Sequence, residues 1–307
     1  MLDPEELIEL VEPPDDLVDP VLVHALDGFV DAGAAVRLAR AHLLAASPDR
    51  TVLARFDVDQ LFDYRARRPP MVFVRDHWES YAAPSLELHV LRDDAGVPYL
   101  LLAGPEPDVQ WERFSAAVEG LVRALRVRLT VGLEAIPMGV PHTRPAGVTA
   151  HASSPDLVTG YDPWVATVQV PGAATNLLEL RLGEAGHDAM GFAAHVPHYL
   201  SQVDYPAAAV SLLEAVSRAS GLRLPTTTLV EAATRTRAEV DAQIAESEEV
   251  QAVVQALESQ YDAYVGGRDR GDLLADDSIQ LPSADELGAE LERFLAEQAR
   301  RKDDRDG

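Results

Sequence analysis

The stretch Val21-Leu22-Val23-His24-Ala25-Leu26-Asp27-Gly28-Phe29-Val30-Asp31-Ala32-Gly33-Ala34-Ala35 decides the fold. Its first six residues form a short apolar run closed by Asp27-Gly28, which reads as a buried strand. Asp31 then precedes Ala34, Ala35, Leu38, Leu43 and Leu44 at helical spacing and stands where an N-cap belongs. Residues 51–56 read as the next strand. A strand-loop-helix-strand opening is the crossover pattern of a parallel sheet.

Working outward, residues 1–20 are acidic and proline-rich, with no Lys or Arg before Arg37, and read as an arm or a short edge segment. Strands are expected at 71–75, 86–92 and 99–103, with Asp93-Asp94-Ala95-Gly96 as a hairpin turn between the last two. Pro107-Asp108 introduces a helix reaching Ala124, with Trp111, Phe114, Val118 and Leu121 or Val122 on one face. Further strands are expected at 127–136, 148–151, 164–170 and 190–195, with a helix at 175–184 before the last. Beyond Pro206 the period is helical over 207–219, 226–246 and 250–265. Residues 266–282 read as an acidic linker, and the capping box Ser283 to Glu286 opens a final helix. The expected fold class is α/β: a three-layer α/β/α arrangement around a mostly parallel mixed sheet, with a C-terminal helical extension. The divisions are an arm (1–20), an α/β/α domain (21–222), its helical extension (223–265), and a linker with terminal helix (266–307).

Composition narrows the function. The chain has 307 residues and 26 Lys+Arg against 51 Asp+Glu, a formal charge of -25. Nucleic-acid binding needs a basic stripe that releases counterions, and anionic lipid needs the same, so neither partner is expected. No run approaches the ~20 apolar residues of a membrane span, and the start carries no basic, apolar leader. With no cysteine, thiolate nucleophiles, Cys-ligated zinc and iron–sulfur clusters are excluded. Lys302 is the only lysine, so a Walker A or core Schiff-base lysine is unavailable. No cofactor is expected, and the default location is the cytoplasm. The acid concentrates in residues 1–36 while arginines gather at 65–75 and 113–128, which predicts an acidic arm lying on an arginine-rich face.

The candidate ligand residues cluster in loops after strands. Asp27, Gly28, Asp31 and Gly33 follow the first strand, where parallel sheets bind ligands, although two aspartates repel phosphate and a tight turn with an N-cap is the favoured explanation. Asp57 and Asp59 at i, i+2 would share a strand face and are weak candidates for a hard cation. Arg65 and Arg67 offer planar donors for a carboxylate or phosphate, or for internal ion pairs. Glu106 stands between a strand and a helix as a lone acid/base candidate. His142 and Arg144 lie in a loop stiffened by Pro141 and Pro145, and His195 and His198 follow a later strand. Three histidines at one sheet edge make zinc imaginable, yet His-x-x-His after a strand is not a zinc signature, and structural hydrogen bonding is the alternative.

These loops carry a resemblance. Gly28-Phe29-Val30-Asp31-Ala32-Gly33 resembles the opening motif of the PAC2 family, the proteasome-assembly-chaperone-2-like proteins. Residues 63–69, 104–108 with Trp111, 137–145 and 195–200 with Asp204-Tyr205-Pro206 look like its actinobacterial branch. The resemblance covers about residues 20–265. It implies an α/β/α fold similar to purine nucleoside phosphorylases and related hydrolases, a homo-oligomer with a trimer favoured, and a link to proteasome subunits. It implies no established catalytic activity, and no catalytic residue is assigned. The name-giving chaperones dock through a hydrophobic-Tyr-x tail, whereas this sequence closes on Asp304-Arg305-Asp306-Gly307. Some relatives are labelled ATP-grasp enzymes, but the lysines that grip ATP have no counterpart, and that reading is rejected. Two expectations follow: a noncatalytic oligomeric assembly or interaction factor, or a protein with a nucleoside or anion site at the carboxyl edge of the sheet. The second requires Asp27, Arg65, Arg67, His142, Arg144 and His198 to converge on one pocket.

Overall fold

The computed structural model describes residues 2–161 and 167–269. Ten strands and six helices are defined there: β1 (Ile8–Leu10), β2 (Val21–Asp27), α1 (Ala35–Ala46), β3 (Thr51–Phe56), β4 (Met71–Val74), β5 (His77–Tyr81), β6 (Glu87–Arg92), β7 (Pro98–Pro105), α2 (Trp111–Ala124), β8 (Leu129–Met138), β9 (Val148–Ala152), α3 (Ala174–Glu184), β10 (Ala189–Pro197), α4 (Pro206–Ser220), α5 (Thr227–Ile244) and α6 (Glu248–Asp269). Residues 266–269, expected to open the linker, instead close α6; the rest of the linker, Lys302 and the final helix expected after Ser283 lie outside the described residues. So do residues 164–166 of the strand expected at 164–170, and residues 167–170 form no strand.

Eight strands make one sheet in the order β1-β3-β6-β7-β2-β8-β10-β9. The central strands β7, β2, β8 and β10 run parallel, while β1, β3, β6 and β9 join in antiparallel fashion. The opening crossover therefore differs in one respect from its sequence pattern. β3 runs in the direction of β2, but β6 and β7 stand between them, because their hairpin supplies a closer partner for each. The segment at 71–75 does not enter this sheet either; β4 pairs with β5, a strand the sequence pattern did not single out, as a separate hairpin.

Period-2 alternation divides the core into two layers. Val21, Val23 and Ala25 of β2 face α1 and α4 with Val131, Leu133, Phe192 and Leu212. Leu22 and Leu26 face the opposite side with Leu100, Phe114, Val118 and Leu178 of α2 and α3. This is the three-layer arrangement expected. The start of the chain becomes an edge strand: β1 pairs with β3, and Leu7 just before it is fully buried. Its acids meet arginines of the same chain. Arg113, itself buried, donates to the Asp3 carbonyl oxygen and reaches Glu6, while Arg92 holds Asp16 at 2.6 Å and Arg126 holds Asp19 at 3.6 Å.

Candidate functional site

Open parallel sheets bind ligands where neighbouring strands send their helices to opposite faces. Here that point lies between β2, which leads to α1, and β7, which leads to α2. The crevice is occupied by the protein itself. Glu106 follows β7; its amide donates to the Asp27 carbonyl oxygen at 2.9 Å. Its carboxylate accepts from the Phe29 amide at 3.1 Å and from the Ala174 amide, the first residue of α3, at 2.6 Å. A carboxylate at a helix N-terminus satisfies an otherwise unpaired N–H and meets the positive end of the helix dipole. Gly28 makes room for it, since a Cβ there would sit 2.0 Å from Glu106 Oε2. Arg67 closes the arrangement from the side: it bonds the Asp108 carboxylate at 2.7 Å and the Glu106 carbonyl oxygen at 2.5 Å, with its guanidinium 4.5 Å over the Phe62 ring.

The other residues of this edge are committed locally. Asp27 pairs with Arg40 at 2.5 Å. Asp31 caps α1 from outside the helix, its carboxylate accepting from the Val36 and Arg37 amides at 2.7 and 3.2 Å, and burial raises its pKa despite those bonds. The residue preceding α1 is Ala34, because Gly33 and Ala34 take positive φ and interpose a tight turn. Gly33 is required there: φ is +63°, and a Cβ would lie 2.8 Å from Tyr205 Cβ. Its amide donates to Ser201 in the loop holding His198. Arg65 is exposed, and among the described residues only its backbone is bonded, to Asp63.

His142 and Arg144 lie elsewhere, clamped to the helical extension. The His142 amide donates to the Tyr199 oxygen at 2.9 Å, the Tyr199 hydroxyl meets Nδ1 at 2.6 Å, and Nε2 meets Asp241 of α5 at 2.9 Å. All three bonds are satisfied together when Tyr199 donates to Nδ1 and the Nε2 proton faces the carboxylate. Arg144 makes a bidentate pair with Asp262 of α6, at 2.8 and 2.6 Å, and Thr143 donates to Glu258. His195 bonds Thr149 at 2.8 Å, and burial lowers its pKa. The residues required to converge on one pocket, Asp27, Arg65, Arg67, His142, Arg144 and His198, do not share one set of bonds: Asp27 and Arg67 meet at the mouth between β2 and β7, His142 and Arg144 are tied to α5 and α6, and the Arg65 side chain is exposed. The expectation that Asp57 and Asp59 share a strand face is also corrected. β3 ends at Phe56, Asp57 accepts from the Asp59 amide as a turn cap, and Asp59 accepts from the Tyr64 hydroxyl. No group of three metal-ligating side chains is formed among the described residues. Asp108 likewise binds Asp63 and Arg67 rather than capping α2.

A polar row beneath α3 has no counterpart in the sequence reading. The strand register aligns His24 of β2, Gly132 of β8, Gly191 of β10 and His151 of β9. The two glycines leave space for the rings, for a Cβ at Gly132 would lie 2.6 Å from His24 Cε1 and one at Gly191 2.3 Å from His151 Cε1. His24 Nδ1 meets Thr175 of α3 at 3.0 Å, while His24 Nε2 and the nearby strand hydroxyl of Thr130 have no partner among the described residues. Burial, with repulsion from His151, lowers the His24 pKa to about 4. His151 bonds Glu179 at 2.9 Å; burial would lower its pKa, but the bond to Glu179 and the charges of Glu179 and Glu134 outweigh it and raise it. Burial raises the pKa of Glu134, whose carboxylate accepts from Asn176. The legible signal was Leu129-Thr130-Val131-Gly132-Leu133-Glu134-Ala135, an apolar–polar alternation inside a strand.

The PAC2 family model matches residues 25–244. A Mycobacterium tuberculosis protein of unknown function is 50% identical, with 87% of this chain and 92% of that chain covered at a TM-score of 0.82. A Corynebacterium glutamicum protein of unknown function is 40% identical, covering 84% of this chain and 98% of its own at 0.80. A Mycobacterium tuberculosis proteasome-assembly chaperone homologue is 28% identical, covering 76% and 99% at 0.70. No curated protein matches the chain. No helix among the described residues is long and apolar enough to cross a membrane.

Proposed function

The chain belongs to the PAC2 family, and from that premise we propose that it is a noncatalytic, homo-oligomeric assembly and interaction factor, related in action to the proteasome-assembly chaperones. The supporting observation is the carboxyl edge of the sheet. The place where an α/β enzyme keeps its ligand is filled by Glu106 and Arg67, bonded to backbone and to Asp108. The loops that Glu106 ties together instead present apolar side chains to solvent. Phe29 is 73% exposed, with Val109, Val168 and Val170 exposed on neighbouring loops. A rigid platform bearing exposed aromatic and β-branched side chains suits protein contact better than chemistry.

The test is capture of purified actinobacterial 20S α-subunits by the full chain at low and moderate salt, beside a Phe29→Asp, Val170→Asp variant. Capture that the variant loses by about tenfold or more supports the reading, as expected for removing apolar anchors from an interface centre. Absence of capture at both salts removes the proteasome as partner. Oligomeric state, read by light scattering, tests the homo-oligomer directly, with a trimer the favoured outcome.

A further inference from the structure

Among the described residues the β4–β5 hairpin pairs only with itself and lies outside the eight-stranded sheet. Every residue of β5 is exposed, as are three of the four in β4. Met71, Val72, Phe73, Trp78 and Tyr81 stand in solvent, and Phe73 and Trp78 pack edge to face at 5.0 Å across the strands. A lone two-stranded hairpin is marginal in water, and one that presents this much apolar surface needs a cover.

Charge identifies the cover. In a chain of net charge -25, residues 65–81 carry four arginines against Asp76 and Glu79. Arg67 is committed to Asp108, but Arg65, Arg68 and Arg75 are exposed and form no ion pair among the described residues. The complementary surface is on the same chain. Around β1, Leu10, Val11 and Val18 are exposed, and Glu12 and Asp15 are exposed carboxylates without an ion pair among the described residues. β1 also ends the sheet, so its outer edge faces no other strand among the described residues. One patch is apolar and cationic, the other apolar and anionic.

We propose that the β4–β5 hairpin of one copy docks on the β1 arm of the next. The inference rests on the homo-oligomer reading and names its interface. Two different patches meet, so the contact is heterologous and repeats until a ring closes. Apolar burial supplies affinity, and the charges fix the direction and exclude arm-to-arm pairing.

The experiment is charge exchange in the full chain, read by light scattering at fixed ionic strength, with far-UV circular dichroism to verify folding. The variants are Arg65→Glu, Arg68→Glu, Arg75→Glu together; Glu12→Arg, Asp15→Arg together; and all five combined. A fourth variant, Trp78→Ser, removes an anchor without changing charge. Each separate charge set is expected to weaken assembly by about tenfold or more, and the combination to restore it to within about threefold, since like charges across a contact repel and exchanged ones attract. Trp78→Ser is expected to weaken assembly about tenfold, the typical cost of a central aromatic. An oligomeric wild type whose separate sets assemble normally overturns the docking while leaving the homo-oligomer intact. Weakening without rescue overturns the pairing of hairpin with arm. A monomeric wild type overturns the homo-oligomer reading itself.

Discussion

On the α1/α4 side of the sheet, Val23, Val131 and Met190 stand in one row, and all three are buried among apolar neighbours. One residue along the same strands, on the α3 side, the row reads His24, Gly132, Gly191 and His151. Identical backbone geometry thus supports two different kinds of cover. The first face holds its helices by volume, and any side chain of suitable shape serves. The second adds to the apolar contacts of Leu178 and Leu182 the bonds of Thr175, Asn176 and Glu179, where each partner is specific and a missing one leaves a buried polar group stranded. The difference teaches that the α1/α4 face is the structural half of the sheet and the α3 face the conditional one, whose stability answers to pH and to single hydrogen bonds.

The contrast is broken most severely by emptying the apolar face. Phe192→Ala removes a fully buried ring and is expected to cost about 3–5 kcal/mol in denaturant unfolding. A cost below 1 kcal/mol would mean that this face is not the tightly packed one. The pH response of the polar face comes next. The His24 pKa falls from 6.5 in the unfolded chain to about 4 in the folded one. Below pH 6.5 the unfolded chain binds a proton that the folded chain refuses, so this contribution to stability is full above 6.5 and drains away down to about 4. Because His24 is fully buried, the loss is roughly 3 kcal/mol. His24→Asn should flatten that part of the stability–pH profile relative to wild type; parallel profiles would remove His24 as the cause. His151 acts in the opposite sense, since its raised pKa favours the folded state at low pH, and the two histidines are separable only by comparing variants.

Smaller effects sharpen the comparison within the polar face. Thr175→Val keeps the shape but strips His24 of its hydrogen bond to α3, an expected cost of about 1–2 kcal/mol. Thr130→Val deletes a buried hydroxyl that has no partner among the described residues, so it should be neutral or stabilising by up to about 1 kcal/mol. Equal thermal shifts for these two variants would show that hydrogen bonding does not hold this face.

Much of the scaffold was legible because its signals are local. The run Val21 to Leu26, the Asp31 cap, the turn Asp93-Asp94-Ala95-Gly96 and the helical periods after Pro206 each depend on a few consecutive residues. The β4–β5 hairpin was half seen: 71–75 has strand composition, whereas His77-Trp78-Glu79-Ser80-Tyr81 mixes polar and aromatic residues without an apolar face. The candidate site was legible only in its parts. Glu106, Arg67, His142 and Arg144 were singled out, but nothing in the loops around His142 and Arg144 says that their partners are Asp241 and Asp262, about a hundred residues later.

The sequence by itself determined most of the elements, the family resemblance and the exclusion of thiol and lysine chemistry. These follow from residue types and from periods of two or 3.6, which need no knowledge of neighbours. Only the tertiary structure decided what each polar group does. Sheet order and register place His24 beside Gly132 and His151 beside Gly191, put Glu106 over Gly28 at the mouth of the sheet, and leave the hairpin outside it. Those pairings join residues far apart in the chain. Register is set by the collective burial of whole strands, so no local pattern specifies it.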